Sequence, residues 1–182
     1  MRGCAAIIGG LLVASLASAA IADQTNTVSW QQVSQQANLA PLVKDSLRFL
    51  TAVTKGDFSD AQRRLAMKDE VRDQLQQGHI ADLIGQLDLR PPYTIHLAAV
   101  DVMTDDDVIL IYIINTADGP VAFKMDTFRY DGAENMAHMV VSNDWDEIET
   151  MLNAAQRLDK PLEIQVNPLD PDGDPEIVPP EK

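Results

Sequence analysis

The spacing of apolar and polar positions changes once along this chain. From residue 41 to about 87 apolar residues recur with a helical period, and from 93 to 143 they gather into β-rich runs. PLVKDSLRFLTAVTKG, residues 41–56, is the clearest helix. Pro41 stands at an early helical position, where its missing N–H costs nothing, and Gly56 is the stop. At about 100° per residue, Leu42, Val43, Leu47, Phe49, Leu50 and Val53 fall in an arc of roughly 160°, opposite Lys44, Asp45, Arg48 and Lys55. That arc predicts a helix lying on a core. S-D-A-Q from Ser59 has the capping-box pattern with Gln62 and opens a second helix through about Met67. Residues 69–77 and 79–87 form two more helical pieces around Gly78, and Pro91-Pro92 ends the helical half.

The runs YTIHLAAVDVM, DVILIYIINT, PVAFKMDTFRY and NMAHMVVSN predict strands. Their separators are T-D-D-D, A-D-G-P and D-G-A-E. Two contain Asp-Gly, which suits the positive φ angles of tight hairpin turns. Four strands joined by three short turns make an antiparallel meander. VILIYII, residues 108–114, does not alternate, so it is expected to be covered on both faces. The helices cover one face; a second copy, or a helix at about 146–157 (DEIETMLNAAQR), covers the other. The expected fold is α+β, with N-terminal helices packed on a curved, cone-like four-stranded meander.

The chain ends add compartment and boundaries. Arg2, the apolar stretch 5–17 and Ala20-Ile21-Ala22 before Asp23 (or Ala17-Ser18-Ala19) have the pattern of a secretory signal peptide over residues 1–22. A periplasmic or secreted protein is expected. Cys4, the only cysteine, precedes the apolar stretch, so cleavage leaves neither disulfide nor thiol chemistry. Residues 23–38 are a polar leader in which Trp30 and Val33 can dock a short helix; residues 39–158 form the domain. Residues 159–182, with six prolines and seven acids against two lysines, are expected to be a solvated, disordered tail. Its DPDGDPE has the glycine in the wrong place for a calcium loop.

The full chain carries 14 cations and 28 acids, net −14, and loss of Arg2 makes this −15. Such a charge repels nucleic acid and anionic lipid. Neither nucleic-acid binding nor membrane insertion after cleavage is expected.

Candidate chemistry centres on FRYDGAENMAHMVVSN, residues 128–143. Asp126, Tyr112 and His138 can supply a base, a hydrogen-bond donor and a proton shuttle. Each also has a plainer reading. His138 with Met136 and Val140 lines a half-buried face; Asp126 with Lys124 and Arg129 forms an exposed charge pair; Tyr112 is core or interface. His96, between Ile95 and Leu97, is structural, and His79 marks a helix boundary. The three histidines lie on separate elements without metal-site spacing, so neither metal nor cofactor is expected.

KDSLRFLTAVTKGDFSDAQRRL resembles the helix, Gly-Asp-aromatic, helix opening of the nuclear-transport-factor-2-like superfamily. MDTFRYDGAENMAHMVV, residues 125–141, resembles its SnoaL-like, polyketide-cyclase-related branch, where V-D-x-F-R-x-x-D-G-x-I is followed by E-H-W-D. Asp126, Phe128, Arg129, Asp131 and Gly132 match, and His138 falls on the histidine after a one-residue shift. The resemblance spans roughly residues 40–145. It implies a cone with a pocket between sheet and first helices, lined by Tyr112, Phe128, Met136 and Val140, with Asp126 and His138 as catalytic candidates. Val140 replaces the likely acid/base of the cyclases and Met139 their tryptophan; Asp126 and Asp101 are the carboxylates left to substitute. The expected function is therefore binding of a small, partly apolar molecule or a protein partner without the family's chemistry. The rivals are an isomerase, dehydratase or cyclase acting on a carbonyl compound, and an envelope interaction module. A homodimer through the sheet is a further expectation.

Overall fold

The computed structural model describes residues 27–36, 39–86, 93–166 and 176–178. The expected signal peptide, Pro91-Pro92 and most of the expected tail lie outside these residues. In chain order the elements are β1 (Thr27–Val28), α1 (Trp30–Gln36), α2 (Leu39–Thr54), α3 (Phe58–Arg64), β2 (Ala66–Met67), α4 (Asp69–Gln77) and α5 (His79–Gln86). They continue as β3 (Tyr93–Val102), β4 (Asp107–Thr116), β5 (Gly119–Tyr130), β6 (Ala133–Ser142), α6 (Trp145–Asn153), β7 (Gln156–Val166) and β8 (Glu176–Val178). Among the described residues no helix is long and apolar enough to cross a membrane.

Helix α2 buries all six residues of its predicted arc. Its end is a Schellman motif: Gly56, at φ +74°, donates to the Val53 carbonyl (2.9 Å) and Asp57 to that of Ala52 (2.9 Å). The cap of α3 differs from the expectation at Ser59. Asp57 fills it, accepting a hydrogen bond from the Asp60 amide at 2.9 Å. The Schellman turn brings Asp57 to that position two residues before Ser59, which lies inside the helix. Helices α4 and α5 meet at Gly78, with His79 the first residue of α5.

The predicted meander is present as β3–β4–β5–β6, all antiparallel. It is the middle of a larger sheet, which corrects the four-stranded expectation. The mixed eight-stranded sheet runs β1-β7-β3-β4-β5-β6-β2, with β8 also paired to β7. Short β1 and β2 join opposite edges in parallel. Strand β7 covers residues 159–166 of the expected tail, and the helix expected to reach residue 157 ends at Asn153. Asp131 (φ +52°) and Gly132 (φ +75°) form the two-residue turn between β5 and β6, with Tyr130 opposite Ala133. The T-D-D-D tip ties itself together: the Thr104 hydroxyl accepts from the Asp107 amide at 3.0 Å and donates to the Asp107 carboxylate at 3.0 Å.

The inner face of the sheet packs on the N-terminal helices. Leu97, Val100, Leu110, Tyr112, Phe123, Met125, Met136 and Met139 join Leu47, Phe49, Leu50, Leu75 and Leu83 in one core. On the outer face Ala99, Ile109 and Ile111 pack with Met151, Leu152 and Ala155 of α6 and the turn after it. Strand β4 is thus covered on both sides, as VILIYII requires, and α6 is the outer cover. Helix α6 is anchored by Asp144, which caps the Asp146 and Glu147 amides, and by Ser142, whose hydroxyl donates to Glu147 at 2.6 Å.

Candidate functional site

Asp126 and His138 are direct cross-strand partners on the outer face. A β-bulge creates this pairing. From the turn, the ladder matches Thr127 with Met136, and its next step matches Asp126 with His138, leaving Ala137 as the extra residue. Without the bulge the ladder would continue Asp126 opposite Ala137, and His138 would point inward beside Met125. The bulge also puts Met136 and His138, two residues apart, on opposite faces.

The outer cluster consists of Lys124, Asp126 and His138, with Val140 opposite Lys124. Lys124 Nζ lies 3.3 Å from Asp126 Oδ1, and His138 Nδ1 lies 3.6 Å from Oδ2. The second distance is too long for a hydrogen bond. His138 is 54% exposed and Asp126 30%. The expected pairing of Asp126 with Lys124 is present; Arg129 instead grips Glu134 through Nε at 2.8 Å and a terminal nitrogen at 2.6 Å. Asp101 shares the row, but Ile109 stands between it and Asp126. Two strand spacings separate the carboxylates' backbones by about 10 Å, too far for a shared proton. Asp126 Oδ1 is shut off from solvent without a hydrogen-bond partner while His138 stands more than half exposed, so the cluster opens to solvent on the His138 side. A partly open set of unlike charges suits electrostatic recognition.

The other candidates divide between the faces. Tyr112 and Met136 are fully buried in the inner core. Phe128 is half-buried, on the same face as Asp126 by alternation along β5, with Lys68 Nζ 5.9 Å from its ring centre. Tyr112, Met136, Phe128 and Val140 therefore do not line one pocket. Where the resemblance implies a cavity, Phe49, Leu110, Tyr112, Phe123, Met125 and Met136 are all 0% exposed. No water-sized space adjoins these six side chains, and among the described residues this part of the interior is packed.

Two hydroxyl bridges fasten α2 to this core. Tyr112 Oη and Ser46 Oγ are 2.5 Å apart, and Ser46 Oγ donates to the Val43 carbonyl at 3.0 Å, which leaves Tyr112 as the donor to Ser46. In the same way Thr54 donates to the Thr51 carbonyl at 3.1 Å and meets Tyr93 Oη at 2.6 Å. Burial pushes both phenols above their ordinary range. Ser46 was not singled out from the sequence. Its signal was a polar residue inside the apolar arc of α2, next to Leu47 and one turn from Leu42 and Leu50.

His96 is half-buried on the outer face between Ile113 and Glu163 in register. Among the described residues no three His, Cys, Asp or Glu side chains converge as metal ligands. Compared with known proteins, the sequence matches no family model and no curated protein.

Proposed function

We propose that this protein is an exported, non-catalytic binding module of SnoaL-like build that meets a protein partner through its outer sheet face. One observation carries this reading: Lys124, Asp126, His138 and Val140 stand together on the outer, partly exposed side of β5 and β6, while the side chains on the opposite side of the same strands are buried. The build is supported by α2, the Gly56-Asp57-Phe58 turn, α3 and the meander with its Asp131-Gly132 turn. Valine at position 140 cannot move a proton, which supports binding without the branch's chemistry. Export rests on the pattern of residues 1–22. An apolar side chain beside a lysine–aspartate pair gives register and specificity to a protein contact.

The test is a photo-crosslinking residue at Val140, with the same residue at exposed Gln76 on α4 as the control. The expected result is a discrete adduct from position 140, absent at 76 and weakened by Lys124→Glu. Equal labelling from both positions, or none from 140, would reject the outer face as the contact.

The Asp126–His138 contact favours one second reading, an isomerase or dehydratase acting on a carbonyl compound at this open face. For that reading Asp126→Asn must abolish turnover while leaving the melting temperature in place.

A further inference from the structure

The two oxygens of Asp126 have unequal surroundings. Oδ1 is shut off from solvent without a hydrogen bond, and the charge facing it is Lys124 Nζ at 3.3 Å. Oδ2 faces His138 Nδ1 at 3.6 Å. Lys124 and Asp126 balance each other, so His138 alone sets the charge sum of the cluster. The sum is zero with the ring neutral and positive with the ring protonated. Histidine is the side chain that ordinarily changes charge between pH 5 and 8.

The neighbouring elements leave the ring to these two groups. Strand β2 brings only Ala66 and Met67 to the edge of β6. Helices α4 and α5 join the inner core through Val71, Leu75, Leu83 and Ile84, on the other side of the sheet from His138. At the start of α4, Lys68 sits over the Phe128 ring and Asp69 pairs with Arg72 at 2.8 Å. On α6, Glu147 is taken up by Ser142. The bulge at Ala137 turns His138 outward, and the side chain is 54% exposed. The two nitrogens of an imidazole point in divergent directions. With Nδ1 toward the carboxylate, Nε2 is left for a partner; it offers a lone pair when the ring is neutral with its proton on Nδ1, and an N–H when the ring is protonated. Val140 lies on the same face, opposite Lys124.

We propose that Lys124, His138 and Val140 form a proton-gated docking point for an acidic residue of the partner protein and the apolar residue next to it. This inference rests on the outer-face reading above and adds the partner's chemistry and its control by pH. While the ring is neutral, Asp126 repels an incoming carboxylate and Nε2 has nothing to donate. Once the ring is protonated, Nε2–H gives the carboxylate a charge-assisted hydrogen bond, and the apolar neighbour meets Val140. The net charge of −14 disfavours acidic partners over the rest of the chain, which confines such a contact to this point.

The probes are the capped peptide acetyl-Ala-Trp-Glu-Ala-amide and the same peptide with Gln in place of Glu. Each is titrated into the methyl-labelled full chain and its His138→Gln variant at about pH 5.5 and about pH 7.5, on either side of the ordinary histidine transition. The Val140 methyls report binding, and the Leu47 and Leu110 methyls report that the variant keeps its core. The Glu peptide is expected to bind wild type about fivefold more tightly at the lower pH, the Gln peptide equally at both, and His138→Gln to lose the difference. Equal binding of the Glu peptide at both pH values, or a difference that survives in His138→Gln, would overturn the gating and leave the outer face as a docking surface. Failure of both peptides to move Val140 at either pH would overturn the gating together with the outer-face reading.

Discussion

Replacing Phe123 with alanine is expected to lower the unfolding free energy by about 3–5 kcal/mol, measured by urea denaturation. The ring is fully buried, lies opposite Tyr112 on one side and Val141 on the other, and belongs to the main core. Its removal takes apolar surface out of the interior and leaves a cavity that α2 and the sheet close only in part. For a domain of ordinary stability, about 5–15 kcal/mol, that is a third or more of the total. The size of the loss also distinguishes a solid core from a ligand cavity. A ring that already bordered empty space would forfeit fewer contacts, so a loss below about 1.5 kcal/mol would reveal a void in the wild-type interior. The variant should also gain binding of benzene, because a new apolar cavity stays dry and accepts small apolar guests.

Ser46→Ala should cost about 1–3 kcal/mol, and adding Tyr112→Phe should restore most of it. The single change leaves a buried phenol hydroxyl without its 2.5 Å partner, whereas the pair removes donor and acceptor together. A double-mutant cycle reads the coupling directly. Additive losses would show that the bridge contributes nothing specific. The same buried phenol predicts an alkaline limit. Its folded pKa is raised, so its stabilising effect is complete below the ordinary tyrosine value of about 10 and declines as the pH rises above it. The unfolded chain then loses the proton while the folded one keeps it. Tyr112→Phe should flatten the fall in stability above pH 10, and Tyr93, raised by burial as well, should account for part of what remains.

Much of this architecture was legible because local signals agreed. The arc of α2 and its Gly56 stop, the four meander strands and the Asp131-Gly132 turn all stand close to where the pattern put them. The unbroken apolar run of β4 correctly called for a second cover, which α6 provides. Strands β1, β2 and β8 are too short to carry a period. Strand β7 hides because QRLDKPLEIQV mixes polar residues with Pro161, and its pairing with β3 breaks around that proline, from Arg157 opposite Ala99 to Leu162 opposite Leu97.

The site was legible only in part, for a reason of parity. Two-residue turns pair even-numbered residues with odd-numbered ones, so Tyr112 had to share a face with Phe123 and Met125, never with Asp126. That separation could have been read from the turn alone. The Ala137 bulge could not: no residue type marks it, yet it swings His138 to the outer face beside Asp126 and leaves Met136 inside. The capping box failed differently, because Asp57 stood earlier in the chain and was already placed by the Schellman turn.

The central claim is that this molecule recognises through its outer sheet face and has a filled interior. Methyl-selective NMR under titration with indole, a stand-in for the aromatic anchor of a partner protein, tests it most directly. Val140 and the half-buried Ile113 report the outer face; Leu47, Leu110 and Val121 report the core. The account predicts shifts at Val140 and Ile113 with the core methyls unmoved. Shifts at Leu47 and Leu110 with Val140 unmoved would contradict it and restore a central pocket.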